Sequence, residues 1–310
     1  MGIAGMAGGL RRSPGWRPVG LATVALLVGA AERLRPLRRP TQREPRRLLR
    51  NLALGAAATA TIATAEGPLV RAVASRAERT RTGLTQKLLP SGRVPDWVRD
   101  AAAVLLMDYA TYGWHVLTHR VPVLWRFHLV HHVDMDLDSS TALRFHAADM
   151  LISAPVRALQ VSVLGVSPRA LVIWQNWFFA AVVFHHGNLR FPERWERMLN
   201  RFVTTPRMHG IHHSTVKGET DSNWSSGFSV WDRLHGTFRD DVAQEEIAIG
   251  VPGYRDAQEI GLPGSIRLPF GRQRDAWRAQ PGTAVSTERD TGSERPGRPE
   301  PARMKPADRA

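Results

Sequence analysis

The sequence predicts an all-α fold: a multi-pass bundle of membrane helices with a histidine-rich helical cap on the cytoplasmic side. Three observations predict it. Apolar runs of helical length recur as far as residue 186, arginine is spread unevenly around the first of them, and all twelve histidines fall between 115 and 235.

Residues 18–31, PVGLATVALLVGAA, are uncharged and mostly apolar. A signal peptide and a first membrane helix both fit such a run. Three arginines precede it, at 11, 12 and 17, while eight occupy residues 32–50. Short segments rich in Lys and Arg stay in the cytoplasm, so the asymmetry favours a retained helix with its N-terminus outside. Residues 51–70, NLALGAAATATIATAEGPLV, make a weaker second span, rich in Ala and Thr and interrupted by Glu66. Residues 71–94 are basic and polar and read as a loop. A third span covers 97–119, with an apolar centre and a polar, aromatic end. Residues 149–166 and 170–186 read as a hairpin around VSPRA, with Arg157 inside the first arm. A charge there costs about 2.5–3.5 kcal/mol on insertion scales unless protein buries it, so that arm is expected to be re-entrant or tucked inside the bundle. Counting spans from an outside N-terminus puts every histidine cluster in the cytoplasm. From residue 271 the chain is rich in Pro, Arg and Gly and poor in apolar residues, and is expected to be disordered.

Composition narrows the chemistry. The 310 residues include no cysteine, which excludes disulfides, thiolate metal sites and cysteine nucleophiles. The formal charge of +14 suits nucleic acid or an anionic membrane surface. No nucleic-acid-binding motif is legible, and no such partner is expected.

What remains is imidazole. His115 and His119 are spaced i, i+4. His128 stands i+3 and i+4 from His131 and His132, and His209 stands likewise from His212 and His213. On a helix these spacings put the rings on one face, close enough to share a metal. The three boxes supply eight histidines, and His186 with His146 as a further candidate brings nine or ten. A structural zinc takes four ligands, so this number implies two metals with open positions. Imidazole suits iron, copper, nickel and zinc alike. His185 and His235 stand alone in register and read as packing residues. Asp108 falls on the helical face of Tyr112, His115 and His119 and is a candidate to fix a histidine tautomer from behind. Asp232 and Asn223 are candidates for similar support. The tryptophans and tyrosines near span ends read as interfacial anchors.

The residues carry a family resemblance. DYATYGWHVLTHRVPVLWRFHLVHHVDMDLDSSTALRFH (108–146), FHHGNLRFP (184–192), TPRMHGIHHS (205–214) and TDSNWSSGFSVWDRLHGTF (220–238) together resemble the fatty acid hydroxylase/sterol desaturase superfamily of membrane non-haem diiron oxidoreductases. The resemblance implies that His115, His119, His128, His131, His132, His186, His209, His212 and His213 are metal ligands, with His146 less firmly so. It implies two iron ions, O2 as co-substrate, and hydroxylation or desaturation of a lipid C–H bond. With no HPGG-like haem segment and no cysteine cluster in the sequence, electrons are expected from a separate donor (a ferredoxin, cytochrome or reductase), and the expected location is a bacterial cell membrane. Residues 1–94 are then N-terminal membrane helices and basic loops, 95–270 the catalytic domain and 271–310 the tail. This chain departs from the family's pattern at HAAD, NWS and LHG, where the family tends to HPxE, NYG and LFG. The alternative class is a histidine-rich membrane metal-binding or transport protein. Transporters place their ligands near the membrane midplane, whereas these boxes lie at or beyond helix ends.

Overall fold

The computed structural model describes residues 16–42 and 44–278. Among them the regular structure is helical, and extended pairing is limited to isolated bridges. α1 spans Trp16–Leu34. α2, Glu44–Thr61, runs through a π-turn, Ile62–Glu66, into α3, Gly67–Thr80. One rod thus replaces the second span and much of the basic loop expected after it. The reason is a buried stripe at Val70, Ala74 and Ala77, which has helical spacing and leaves the arginines between to the outer face. The rod stops at Arg81, which takes a left-handed conformation (φ 51°).

After the short α4, Leu84–Leu88, the third expected span appears as one helix, α5, Asp96–Arg120. Pro122 ends it. The residue before a proline is pushed out of the helical region, and Val121 is extended (φ −96°, ψ 114°). Pro122 then serves as the first residue of α6, Pro122–His132, where its missing N–H costs nothing. This break turns the second histidine box back towards the first.

α7, Ala147–Leu164, and α8, Pro168–His186, form the expected hairpin, but its arms pack largely on other helices. α7 lies against α3 and the π-turn, and α8 against α5 and α1. At the connecting turn Gly165 (φ 71°) abuts Gly83 (φ 90°), and a Cβ on either would strike the other's backbone. The remaining short helices are α9 (Glu193–Leu199), α10 (Pro206–His212), α11 (Lys217–Thr220), α12 (Val230–His235), α13 (Ala257–Ile260) and α14 (Leu262–Arg267). They gather at the end of the bundle that carries the histidines.

The main core joins α3, α5, α7 and α8 through Val70, Ala74, Met107, Val161, Leu171 and Trp174. The outer faces of the same helices are apolar too. Leu105, Leu117, Leu151, Leu159, Val163 and Ile173 are exposed, as are Leu26 and Leu27 on α1. Among the described residues, Pro45–Leu88 and Ala147–Leu164 are long and apolar enough to cross a membrane by length and composition. Residues 271–278, expected to open the tail, are instead ordered against the protein: Ala276 is buried beside Val251 and Tyr254, and Trp277 packs on the same cluster. Residues 279–310 lie outside the described residues.

Candidate metal centre

Four elements bring the boxes together. His115 and His119 come from the end of α5, His128, His131 and His132 from α6, His186 from the end of α8, and His209, His212 and His213 from α10 and its C-cap. The donor atoms sort into two groups of four, each within 4.8 Å of one another. One group is His115, His119, His128 and His132; the other is His131, His186, His209 and His213. His212 joins His132 and His213 in a third set that links the two.

Backbone carbonyls fix three of these rings. His115 Nδ1 donates to Trp224 O (2.7 Å), His186 Nδ1 to Val182 O (2.8 Å) and His212 Nδ1 to Ser222 O (2.9 Å). A carbonyl can only accept, so the proton is on Nδ1 and a neutral ring turns its Nε2 lone pair inward. Burial, reinforced by neighbouring imidazoles, pushes His131, His132, His209 and His213 well below the ordinary histidine range. Burial likewise lowers His212 to about 3.

The hydrogen-bond ledger of this cluster does not close without a cation. Nε2 of His119, His128, His132 and His212 is buried with no partner. His186 Nε2, already a lone pair, lies 3.1 Å from His131 Nε2 and 3.0 Å from His209 Nε2, and His209 Nε2 lies 3.1 Å from His213 Nε2. One lone pair cannot serve two donors in line, and buried polar atoms left unpaired are costly. Imidazole nitrogens about 2.0–2.1 Å from a shared ion stand about 3 Å apart. The residues present therefore fit a pair of metal ions.

The supporting residues differ from expectation in part. Asp108 touches no histidine: it accepts from Phe228 N (3.0 Å), Trp231 Nε1 (2.7 Å) and Trp177 Nε1 (3.2 Å), tying α5 to the segment that holds Trp224. A Cβ at Gly227 would strike its carboxylate. Asp232 accepts from Trp224 N (2.8 Å) and Ser225 N (3.0 Å), so it holds the residue whose carbonyl orients His115. Asn223, left-handed at φ 52°, bonds Met208 O and Arg239 through its side chain. Its turn aims the flanking carbonyls of Ser222 and Trp224 at His212 and His115. His146 stands apart from both groups. Its Nδ1 accepts from Ala148 N (3.0 Å) as the N-cap of α7 and its Nε2 faces Ile266 O (3.2 Å), so both nitrogens are engaged and neither is free for a metal. His185 lies against His209 (4.0 Å between rings) but belongs to neither group. His235 stacks on Tyr109 and Tyr112.

Sequence reasoning missed the part played by four residues. Asp149, the acid of HAAD, lies 3.7 Å from His128 Nδ1, a carboxylate behind a candidate ligand. The departure from HPxE was its signal. Trp125 packs on His119 and His132, and the fully buried Trp224 meets His115, His119 and His212 edge-on. These two wall the centre; Trp125, close to a span end, is no interfacial anchor, and the signal for Trp224 was its place in NWS, where the family tends to NYG. Arg144 is also fully buried and donates to Val130 O (2.7 Å) between two candidate ligands, with burial lowering it to about 9.

A cavity of about 520 Å³ leads from His128, His131 and His186 between α2, the π-turn, α5, α7 and α8. Residues 101–237, which hold every histidine of the two groups, match the family profile described as fatty acid hydroxylase. This segment is similar to the fatty acid hydroxylase family. The chain is 28% identical to an ornithine lipid hydroxylase of Rhizobium tropici over 55% of this chain and 50% of that one. It is 28% identical to human alkylglycerol monooxygenase over 48% of this chain and 32% of that one. A cholesterol 25-hydroxylase-like protein of Danio rerio is 30% identical over 44% of this chain and 54% of that one. The chain thus spans about half or less of the length of these relatives. No solved structure matches. The family match stops short of α2 and the π-turn, which nonetheless line the cavity.

Proposed function

We propose that the protein is an O2-dependent lipid hydroxylase of the membrane, with two iron ions held by the histidine groups and electrons delivered by a separate ferredoxin, cytochrome or reductase. The observation that carries this reading is the closing of a largely apolar cavity on two groups of imidazoles whose inward nitrogens are left without a satisfying protein partner. The relatives named as hydroxylases and monooxygenases support hydroxylation over desaturation. Iron is proposed because bound iron supplies the redox chemistry that O2 activation needs, and zinc has none.

The chain's own residues do the rest. His115, His119, His128 and His132 would hold one ion, His131, His186, His209 and His213 the other, with His212 at the junction. Trp224, Trp125 and Phe145, which stacks on His131 at 4.4 Å, pack over the rings and keep water from them. Ala58, Ile62, Leu143, Met150 and Phe178 line the passage along which an alkyl chain lies beside the centre. A transporter needs ligands along its path; here they gather at one end, which favours the enzyme. The cytoplasmic orientation of that end rests on the arginine asymmetry.

The test is direct. Protein purified from iron-replete cells should hold close to two irons per chain. Given membrane lipid, O2 and a reduced donor, it should yield a lipid heavier by one oxygen. Metal-replete protein that consumes no O2 and alters no lipid sinks the proposal.

A further inference from the structure

Two charges that sit awkwardly in apolar segments, Glu66 and Arg157, meet at the wall of the cavity. Glu66 closes the π-turn and Arg157 lies in the interior of α7. Single π-turns inside helices mark functional sites often enough to be noticed. This one turns Ile62, Ala63 and Glu66 to the cavity. Arg157 is 8% exposed. Its NH1 donates to Thr111 Oγ1 (3.0 Å) and Gln160 Oε1 (2.9 Å), and its guanidinium lies over the Trp174 ring at 4.7 Å. Its Nε is buried without a hydrogen-bond partner, because the nearest oxygen of Glu66 is 3.9 Å away. The pair is neutral overall, yet its members stand too far apart to satisfy one another.

Asp149, Met150, Ser153 and Arg157 share the cavity face of α7. Asp149 lies beside His128. Eight residues of helix separate it from Arg157, about 12 Å. The cavity therefore holds the candidate metal centre and, about two helical turns along α7, a gapped donor–acceptor pair, with Met150 and Ser153 on the face between and Arg71 also in the lining.

Resting on the lipid hydroxylase reading, we propose that Arg157 and Glu66 form the specificity subsite for a neutral hydroxyl group of the lipid substrate. The hydroxyl oxygen accepts from Arg157 and its hydrogen donates to Glu66, closing the gap. A carboxylate or phosphate would satisfy Arg157 but face the Glu66 charge, and a pure alkane would leave the pair as it is. The oxidised carbon then lies about 12 Å from the hydroxyl, the length of helix between Asp149 and Arg157.

The experiment measures equilibrium binding of radiolabelled hexadecanol, hexadecanoate and hexadecane to the full-length, metal-loaded protein in detergent micelles. Hexadecanol should bind at least tenfold more tightly than either of the others. Removing one member of a buried ion pair strands its partner, whereas removing both is often tolerated. The variant is therefore Glu66→Leu with Arg157→Met, which should bind all three ligands alike. If this variant fails to accumulate, Arg157→Lys carries the test. It keeps the charge but loses the planar fork, and should weaken hexadecanol several-fold while leaving hexadecane unchanged. Preference for hexadecanoate, or hexadecanol binding indifferent to these substitutions, overturns the proposal. Binding needs no turnover, so selective binding without an oxygenated product would refute the hydroxylase reading alone, and turnover without selectivity would refute this subsite alone.

Discussion

Three carbonyl-bound histidines show how much of the candidate centre depends on residues outside the two histidine groups. Asp232 holds the backbone of Trp224 by two N–H groups and also accepts from Thr237 Oγ1 (2.8 Å). Trp224 O in turn fixes the His115 tautomer. Substituting such supporting residues costs about 10–100-fold in metal affinity. Asp232→Ala is therefore expected to lower iron retention by about tenfold under mild chelation, compared at matched expression by elemental analysis. Unchanged retention would assign Asp232 to packing alone. Asp149 offers a similar role behind His128 at 3.7 Å, looser than a hydrogen bond.

At the scale of elements, the centre hangs on the loop between α6 and α7 being locked to the start of α2. Asp134 is completely buried and accepts from Arg47 Nε (3.0 Å), Arg50 (3.0 Å), Asn51 (3.0 Å) and Gln42 (2.8 Å). Burial opposes its ionisation, yet Arg47, Arg144 and Arg50 hold it well below the usual carboxylate range. Arg47 also pairs with Asp138 in the same loop. This clamp stands two residues past His132, so it sets where α6 ends. Arg47→Met leaves Asp138 without its arginine and Asp134 with only part of its cage. A cost of about 3 kcal/mol is expected for breaking such a buried set, read as a lowered thermal midpoint with partial loss of iron. A midpoint within a degree of the parent would show that the clamp is redundant.

Taken as a whole, the molecule concentrates neutral imidazoles at one end of an apolar bundle, and this gives it a pH response. The folded rings outside the spans titrate below the ordinary value of about 6.5 that they regain on unfolding. Below that value the unfolded chain binds more protons than the folded one, so stability is present above about 6.5 and lost as pH falls further. Metal binding adds the same sign, because its ligands must be deprotonated. The thermal midpoint of the metal-free protein should fall between pH 7 and pH 5; a flat or rising profile would contradict the buried, neutral state of the cluster. Orientation is a second property at this scale. Glu193 is exposed at the start of α9 on the histidine side, and the chain has no native thiol. A Glu193→Cys protein should resist an impermeant maleimide in intact cells and react after lysis. Labelling without lysis would invert the topology.

The sequence by itself determined the all-α class, the resemblance to a fatty acid hydroxylase domain and the residues of the three boxes. Those properties are local: i, i+3 and i+4 spacing fixes which rings share a helical face, and Pro122 and Pro206 fix where two of the box-bearing helices start. It also exposed Glu66 and Arg157 as misplaced charges, and HAAD as a departure at Asp149. Only the tertiary structure decided how the histidines divide between two groups, because that division pairs α5 with α6 and α6 with α8 and α10 across long stretches of chain. It removed His146, whose ring is consumed by capping α7, and it moved Asp108 from the histidines to two indoles and a backbone N–H. It also turned Trp125 from an interfacial anchor into a wall of the centre and set Trp224 against three of the rings. Spacing reports the face a side chain shares, whereas the partner on that face is set by packing between elements that no local pattern encodes.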